Sequence, residues 1–286
     1  MEFVKKIKPK AKKVKDNYLF TADALKILKQ IPDKSITLVI IDPPYNIGLK
    51  YNTYNDKKEW SKYYEDLGLV LGEISRILKD DGSLYLINYP EINARTLPFL
   101  DKANLNMQRW LTWHYPTNIG HAKKNYTRSQ RSILFCTKTN NYIFNKDGII
   151  QPYKNPNVGK IKKLIESGKR GRTPYDTLNM EDLFEIEKLQ NSDVININLL
   201  KNVSKFRVGS KDKKAKDHHP CQLPLSLIKV FINASSNEGD TVLDCFAGTF
   251  TTSAAAKELK RKSIGIELDP EYTKLGLARL GDNGFS

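Results

Sequence analysis

The residues best suited to chemistry are Asp42-Pro43-Pro44-Tyr45, which follow the apolar run Thr37 to Ile41 and lead into Asn46. Both prolines fix φ and neither can donate to a ladder, so the chain stops there as a stiff turn. The turn holds one carboxylate, one backbone carbonyl and one aromatic face. Such a set suits a planar base bearing an amino group: Asp42 and the Pro43 carbonyl accept its two N–H bonds while Tyr45 stacks on the ring. Taken alone, the tetrapeptide is as readily a strand ending in a rigid turn.

A second set lies toward the C-terminus. Val242-Leu243-Asp244 reads as a strand ending in an acid, Phe246-Ala247-Gly248-Thr249 as a turn, and Thr251 as the start of a helix through Ala254, Ala255 and Ala256. Small residues let backbone and ligand approach closely, and a helix N-terminus offers free N–H groups. Ser263 to Ile266 reads as the next strand, ending in Glu267, 19 residues beyond Gly248. Dinucleotide folds place an acid at about that distance on ribose hydroxyls. Asp269-Pro270 follows as a helix cap with proline in the first turn. Loop, acid and helix together point to an adenosine-containing cofactor. The lysine expected after a phosphate-cradling loop is missing, which argues against a nucleotide triphosphatase.

The elements that must position these residues follow from periodicity. Thr37 to Ile41 is β-branched and apolar without alternation, as in a central parallel strand covered on both faces. Asp42 then sits at its carboxyl end, where open α/β sheets place ligands. Tyr18 to Phe20 reads as a strand leading through Thr21-Ala22-Asp23 into a helix with Leu25, Leu28 and Ile31 on one side; by itself Asp23 is a helix cap. Val70, Leu71, Ile74, Ile77 and Leu78 have helical spacing, with Asp80-Asp81-Gly82 as the stop. Ser83 to Ile87 is the next strand and Ile92 to Ala103 the next helix. This alternation predicts a parallel, doubly wound sheet. Leu111 to Tyr115 and Ile133 to Thr137 read as a strand pair joined by a basic loop with Lys123, Lys124, Arg128 and Arg131.

Composition sets the remaining bounds. With 47 basic and 32 acidic residues among 286, the net charge is +15, and a polyanion is the economical partner. Residues 1–16 carry seven lysines from Lys5 to Lys15 and are expected to be a disordered basic arm. Residues 146–217 read as irregular, with one basic cluster that includes Lys169, Arg170 and Arg172 and another from Lys211 to Lys216. Cys136, Cys221 and Cys245 lack metal-ligand spacing, so reduced thiols and no metal site are expected. No apolar stretch has transmembrane length and no signal segment is evident, so a soluble cytoplasmic, nucleoid-associated protein without a membrane partner is expected.

Asp42-Pro43-Pro44-Tyr45 resembles the catalytic motif of the amino methyltransferases, which methylate exocyclic amino groups of DNA bases. Asp244-Cys245-Phe246-Ala247-Gly248-Thr249 is similar to their cofactor motif, and Ile264 to Tyr272 to their ribose-binding segment. His219-Pro220-Cys221-Gln222-Leu223-Pro224 is similar to the motif that helps contain the methionine end. The order, catalytic motif first and cofactor motif last, resembles the β class. The resemblance implies a Rossmann-like α/β fold in circularly permuted order, a mostly parallel sheet with an antiparallel edge pair, in which the C-terminal cofactor strand lies beside the catalytic strand. It assigns residues 17–145 and 218–286 to a catalytic and cofactor-binding domain, and 146–217 to an inserted target recognition region.

The implied cofactor is S-adenosyl-L-methionine. Its implied site residues are Asp23, Ala24, His219, Pro220, Gln222, Asp244, Phe246, Ala247, Gly248, Thr249, Phe250, Thr251, Thr252, Glu267, Leu268 and Asp269. Asp42, Pro43, Pro44 and Tyr45 are implied as catalytic; Trp113, His114 and Tyr115 are candidates for the base pocket. Lys123, Lys124, Arg128, Arg131, Lys169, Arg170 and Arg172 are candidates for contact with double-stranded DNA. Phe250 departs from the family, which usually has glycine there. A bulky residue at positive φ would crowd the cofactor, so Phe250→Gly is expected to tighten binding. Adenine is the preferred base; cytosine N4 methylation, RNA methylation and a non-catalytic DNA-binding subunit stay open. So do a homodimer and a companion restriction endonuclease.

Overall fold

The computed structural model describes residues 1–49, 53, 56–115, 124–190 and 223–281. A 3₁₀ turn, Phe3–Lys6, precedes β1 (Lys12–Val14) and β2 (Asn17–Thr21); α1 (Ala24–Leu28), β3 (Ile36–Ile41), α2 (Trp60–Ile77), β4 (Leu78–Asn88) and α3 (Pro90–Lys102) alternate after them. Next come β5 (Asn106–His114), β6 (Gln130–Thr137), a 3₁₀ turn (Lys146–Ile149), α4 (Gly159–Glu166), β7 (Thr177–Leu178) and α5 (Met180–Gln190). The last described stretch holds α6 (Leu225–Ser235), β8 (Thr241–Asp244), α7 (Thr251–Glu258), β9 (Lys262–Glu267) and α8 (Pro270–Leu280).

Among the described residues the strands form one sheet in the order β1-β2-β9-β8-β3-β4-β6-β5-β7. Its centre, β2 through β4, is parallel, and β4-β6-β5 is antiparallel. The expected α/β class and edge pair are thus found. As expected of the strands leading to the two motifs, β8 pairs directly with β3, Leu38 opposite Val242 and Val39 opposite Leu243. The unbroken apolar run of β3 has the reason inferred from its sequence. Val39 and Ile41 enter a core beneath α1–α3 with Leu71 and Ile74, while Leu38 and Ile40 enter the opposite core with Ile228 and Phe231 of α6.

Three expectations need correction. Residues 1–16 are ordered on the sheet: Val4 and Ile7 are buried, β1 pairs antiparallel with β2, and the Gln30 side chain bonds to both backbone groups of Lys8. Burying each apolar side chain contributes about 1.5–3 kcal/mol, which works against the self-repulsion of the lysines. Lys12 and Lys13 stay exposed on β1, as suits a strand at a sheet edge.

The second correction concerns residues 146–190. Ile149, Ile150, Leu178, Leu183 and Ile186 are buried, β7 adds to the sheet edge parallel to β5, and α5 packs toward α6 through the Lys229–Glu187 ion pair. Residues 152–177, which include α4, bury nothing; residues 191–217 lie outside the described residues. Third, the stop expected at Asp80-Asp81-Gly82 comes earlier. The helix ends at Ile77, Leu78 pairs with Ile36, and the ladder resumes at Ser83 opposite Leu38, so the acidic stretch bulges out of β4. No described helix is long and apolar enough to cross a membrane.

Candidate active site

A cleft of about 320 Å³ opens at the carboxyl ends of β2, β9, β8 and β3, and it is lined by residues from both motif-bearing halves of the chain. It brings together Asp23, Ala24, Asp42, Pro43, Pro44 and Tyr45 with Asp244, Phe246, Ala247, Gly248, Thr249, Thr251, Thr252, Glu267, Leu268 and Asp269. The pairing of β3 with β8 accounts for this: residues some two hundred positions apart leave the same edge of one sheet. His219, Pro220, Gln222 and Lys123 lie outside the described residues; Leu223 lines the cleft.

In the cofactor half the acids are held largely by backbone. Glu267 accepts the amides of Gly248 at 2.8 Å and Asp269 at 2.9 Å. Asp244 accepts the Phe246 amide at 3.0 Å and the Thr252 hydroxyl at 2.6 Å. Burial raises Glu267 to about 7 and Asp244 to about 6, against the hydrogen bonds that pull each down. Gly248 takes φ +49°, the left-handed turn a small residue allows between strand and helix. Asp269 caps α8 through the Glu271 amide at 2.8 Å, with Pro270 in the first turn. Asp23 caps α1 through the Lys26 amide at 3.1 Å and also lines the cleft, so its two readings meet in one residue.

These residues suit an adenosine cofactor on structural grounds. Asp269 Oδ2 is a buried acceptor with no hydrogen-bond partner among the described residues, on the wall of the cleft. A buried acceptor of this kind is costly unless a ligand donor meets it. Each ionised carboxylate also has about four lone-pair sites, which leaves Glu267 room to accept hydroxyls.

Phe250 is a correction. It does take positive φ, at +61°, as the residue before α7, yet it is fully buried and does not line the cleft. Its ring fills space left by two glycines: a Cβ at Gly265 would sit 2.5 Å from it and one at Gly276 2.2 Å. The bulky residue crowds a strand and a helix that lack side chains at that point, away from the cofactor side.

The catalytic half is held by side chains. The Tyr45 hydroxyl donates to both Asp42 oxygens at 2.9 Å, its ring packs against Tyr89 at 4.8 Å, and the Tyr63 hydroxyl donates to the Pro44 carbonyl at 2.8 Å. Burial pushes Asp42 up to about 7; Arg131 and the Tyr45 hydrogen bond pull it down, and Asp244 pushes it up. The loop beyond is tied by Asp56, a buried carboxylate that accepts the amides of Asn46, Ile47 and Leu49 at 2.7, 3.2 and 2.9 Å. Asn46, at φ +56°, exchanges two hydrogen bonds with the Lys58 backbone.

Sequence reasoning missed Asp56, Tyr63 and the Lys58–Asp66 ion pair at the cleft wall. Asn directly after the motif, with its tolerance of positive φ, was the available signal for a tight loop needing an anchor. Of the residues expected near the base or DNA, Trp113 is buried in the core, His114 and Tyr115 are half-buried at the end of β5, and Lys124, Lys169 and Arg170 are exposed. Arg128 pairs with Glu91 and lies over Tyr89, and Arg172 lies over Tyr175. Arg131 is buried, which does not suit a phosphate contact.

Comparison with known proteins agrees with this geometry. The chain is 35% identical over 262 residues to the DNA adenine methyltransferase YhdJ of Escherichia coli (strain K12), covering 90% of this chain and 80% of that protein. It is 31% identical to the type II methyltransferase M1.MboII of Moraxella bovis, covering 90% and 93%. Among solved structures, the fold is similar to the PvuII DNA methyltransferase (cytosine-N4-specific), with TM-score 0.66 at 20% identity, covering 94% of this chain and 88% of that one. It is also similar to the M1.HpyAVI–SAM complex, with TM-score 0.60 at 19% identity, covering 93% and 99%. Residues 36–278 match the N6_N4_Mtase family model, DNA methylase. The chain belongs to this family of DNA amino methyltransferases, whose methyl donor is S-adenosylmethionine.

Proposed function

We propose that the protein methylates the exocyclic 6-amino group of adenine in double-stranded DNA, at a flipped-out base and by direct transfer. The observation that carries this reading is that Asp42, at the start of its Asp-Pro-Pro-Tyr turn, lines the same cleft as the acids Asp244 and Glu267. When bound, S-adenosylmethionine supplies an activated methyl group; Glu267, Asp269, Asp244 and the Gly248 turn are the residues placed to hold it. Asp42 and the Pro43 carbonyl accept the amino N–H bonds of the base and draw the nitrogen lone pair out of conjugation. Tyr45 orients Asp42 through its hydroxyl; its ring, packed between Tyr89 and Arg131, holds that hydroxyl in place. Extrusion of the base costs a few kcal/mol of unstacking, and positioning supplies much of the acceleration.

Adenine is favoured because the relative at 35% identity is an adenine methyltransferase, whereas the likeness to the cytosine-N4 enzyme, at 20% identity, speaks for fold alone. The reading as a non-catalytic binder rested on Phe250 crowding the cofactor, and that side chain is outside the cleft. The type II relatives support a restriction–modification setting. The test is transfer of labelled methyl from S-adenosylmethionine to unmodified genomic DNA, followed by nucleoside digestion and mass spectrometry. N6-methyladenine is expected; N4-methylcytosine would replace the base and keep the mechanism, and methylation confined to RNA would overturn the substrate.

A further inference from the structure

Behind the catalytic half of the cleft, against Tyr45, lies a buried cation that the motif does not announce. Arg131, on β6, is 9% exposed. Its guanidinium lies 4.0 Å from the ring centroid of Tyr89, 4.9 Å from Tyr45 and 5.2 Å from Tyr115. Its Nε reaches the Tyr45 hydroxyl at 3.5 Å and its Nη1 donates to the Tyr115 hydroxyl. Because Tyr45 in turn donates to both oxygens of Asp42, a chain of arginine, phenol and carboxylate crosses from β6 to β3.

An arginine set directly on Asp42 would engage both oxygens in its planar fork and compete with a substrate amino group. An intervening phenol uses one O–H and leaves the other lone-pair sites open. Burial alone favours a protonated Asp42, which accepts poorly, and a nearby cation opposes that protonation. The groups facing Asp42 are Tyr45 on its own loop, Arg131 on β6 and Asp244 on β8, with Tyr89 and Tyr115 enclosing the arginine and the Arg128–Glu91 pair beyond Tyr89. Arg131 is the positive charge that both acts on Asp42 and contacts its hydrogen-bond partner.

We propose that Arg131 is a positioning residue for methyl transfer: acting through Tyr45, it opposes protonation of Asp42 and holds it oriented while leaving its oxygens open to the target amino group. This rests on the proposed role of Asp42. It replaces the expectation that Arg131 grips a DNA phosphate.

The experiment measures kcat and KM for methylation of duplex DNA from about pH 5 to about pH 9 in Arg131→Gln and Arg131→Lys, with cofactor affinity by calorimetry. Loss of the charge in Arg131→Gln is expected to move the acidic limb of kcat upward by about one pH unit or more, with cofactor affinity unchanged. Arg131→Lys is expected to return the limb toward its original position. If Arg131→Gln does not fold, Tyr115→Phe, which removes the other anchor of the guanidinium, should move the limb in the same direction, and an unmoved limb there overturns the proposal. An unmoved limb in a folded Arg131→Gln overturns it too, whether kcat falls equally in both variants or KM for DNA rises with a weaker salt dependence, as for a phosphate contact. Asp42→Ala serves as the control: full turnover in that variant would remove the catalytic reading itself, whereas an inactive Asp42→Ala beside unmoved Arg131 profiles removes only this inference.

Discussion

Glu267 is held by the amides of Gly248 and Asp269, whereas Asp42 is held by the Tyr45 phenol, with Arg131 behind it. Both carboxyls are pushed up to about 7 by burial, so the difference between the two halves lies in what opposes that push. Backbone amides come with the path of the chain and survive most substitutions nearby. A network of side chains can be dismantled one residue at a time. The cofactor half is therefore built to tolerate change, and the catalytic half to respond to it.

The sharpest way to break this contrast is at Asp42. Asp42→Ala is expected to lower turnover by about 10²–10⁴-fold while S-adenosylmethionine affinity stays near wild type, because the backbone-held acids are untouched. Radiolabel transfer and calorimetry on the same preparation give the two numbers. Turnover within about tenfold of wild type would dissolve the division of labour between the halves.

Next in size is Phe250, which supports the cofactor half from behind. Removing a buried phenylalanine costs about 3–5 kcal/mol, and glycine recovers about 1 kcal/mol of the strain at positive φ. Phe250→Gly should thus lose about 2–4 kcal/mol in urea unfolding and gain no cofactor affinity. Tighter binding with undiminished stability would restore the view that the ring crowds the cleft.

This residue also shows where the sequence stopped being readable. Its positive φ was implied by the glycine that the resembling family usually has at this position, and the backbone does take it. Where its ring went depended on Gly265 and Gly276, small residues on a strand and a helix that the local motif cannot point to. The same boundary separates the halves of the cleft. The placing of Asp244 and Glu267 at strand ends, the caps at Asp23 and Asp269 and the β3 strand were legible because turn, cap and periodicity are encoded within a few residues. Tyr63, Tyr89 and Arg131 hold the Asp42–Tyr45 turn through long-range packing, and the charge of Arg131 invited a reading as a surface cation until its burial was known. Val4 and Ile7 made the converse error possible: these two buried side chains, with Met1, Phe3 and Ala11 packed on the same core and β1 paired to β2, dock a segment whose composition reads as disordered.

A smaller effect tests the electrostatic side of the contrast. Folded Glu267 takes its proton at about 7, whereas its ordinary value is 4.5. Between those values the folded chain binds a proton that the unfolded chain does not, so protonation favours folding and this group adds stability as pH falls through 7 toward 4.5. Asp42 and Asp244, raised to about 7 and about 6, act in the same sense. Glu267→Gln removes one share and should reduce the stability gained on going from about pH 8 to about pH 5 by about 1–2 kcal/mol. Urea titrations of both proteins at the two pH values decide it: parallel pH dependence would mean that Glu267 is already ionised across that range.

The smallest effect separates the two duties of Asp23. As the cap of α1 it accepts one amide, and at such positions asparagine performs nearly as well as aspartate while alanine costs about 1 kcal/mol. As a cleft carboxylate it contributes charge, which asparagine lacks. Asp23→Asn should therefore unfold like wild type and bind S-adenosylmethionine about tenfold more weakly, in keeping with the loss of one charged hydrogen bond. Asp23→Ala should show that same loss of affinity together with the loss of about 1 kcal/mol in unfolding. If Asp23→Asn binds as wild type does, the residue is a cap that happens to face the cleft, and the cofactor's anchors reduce to those set by β8, β9 and the turns that follow them.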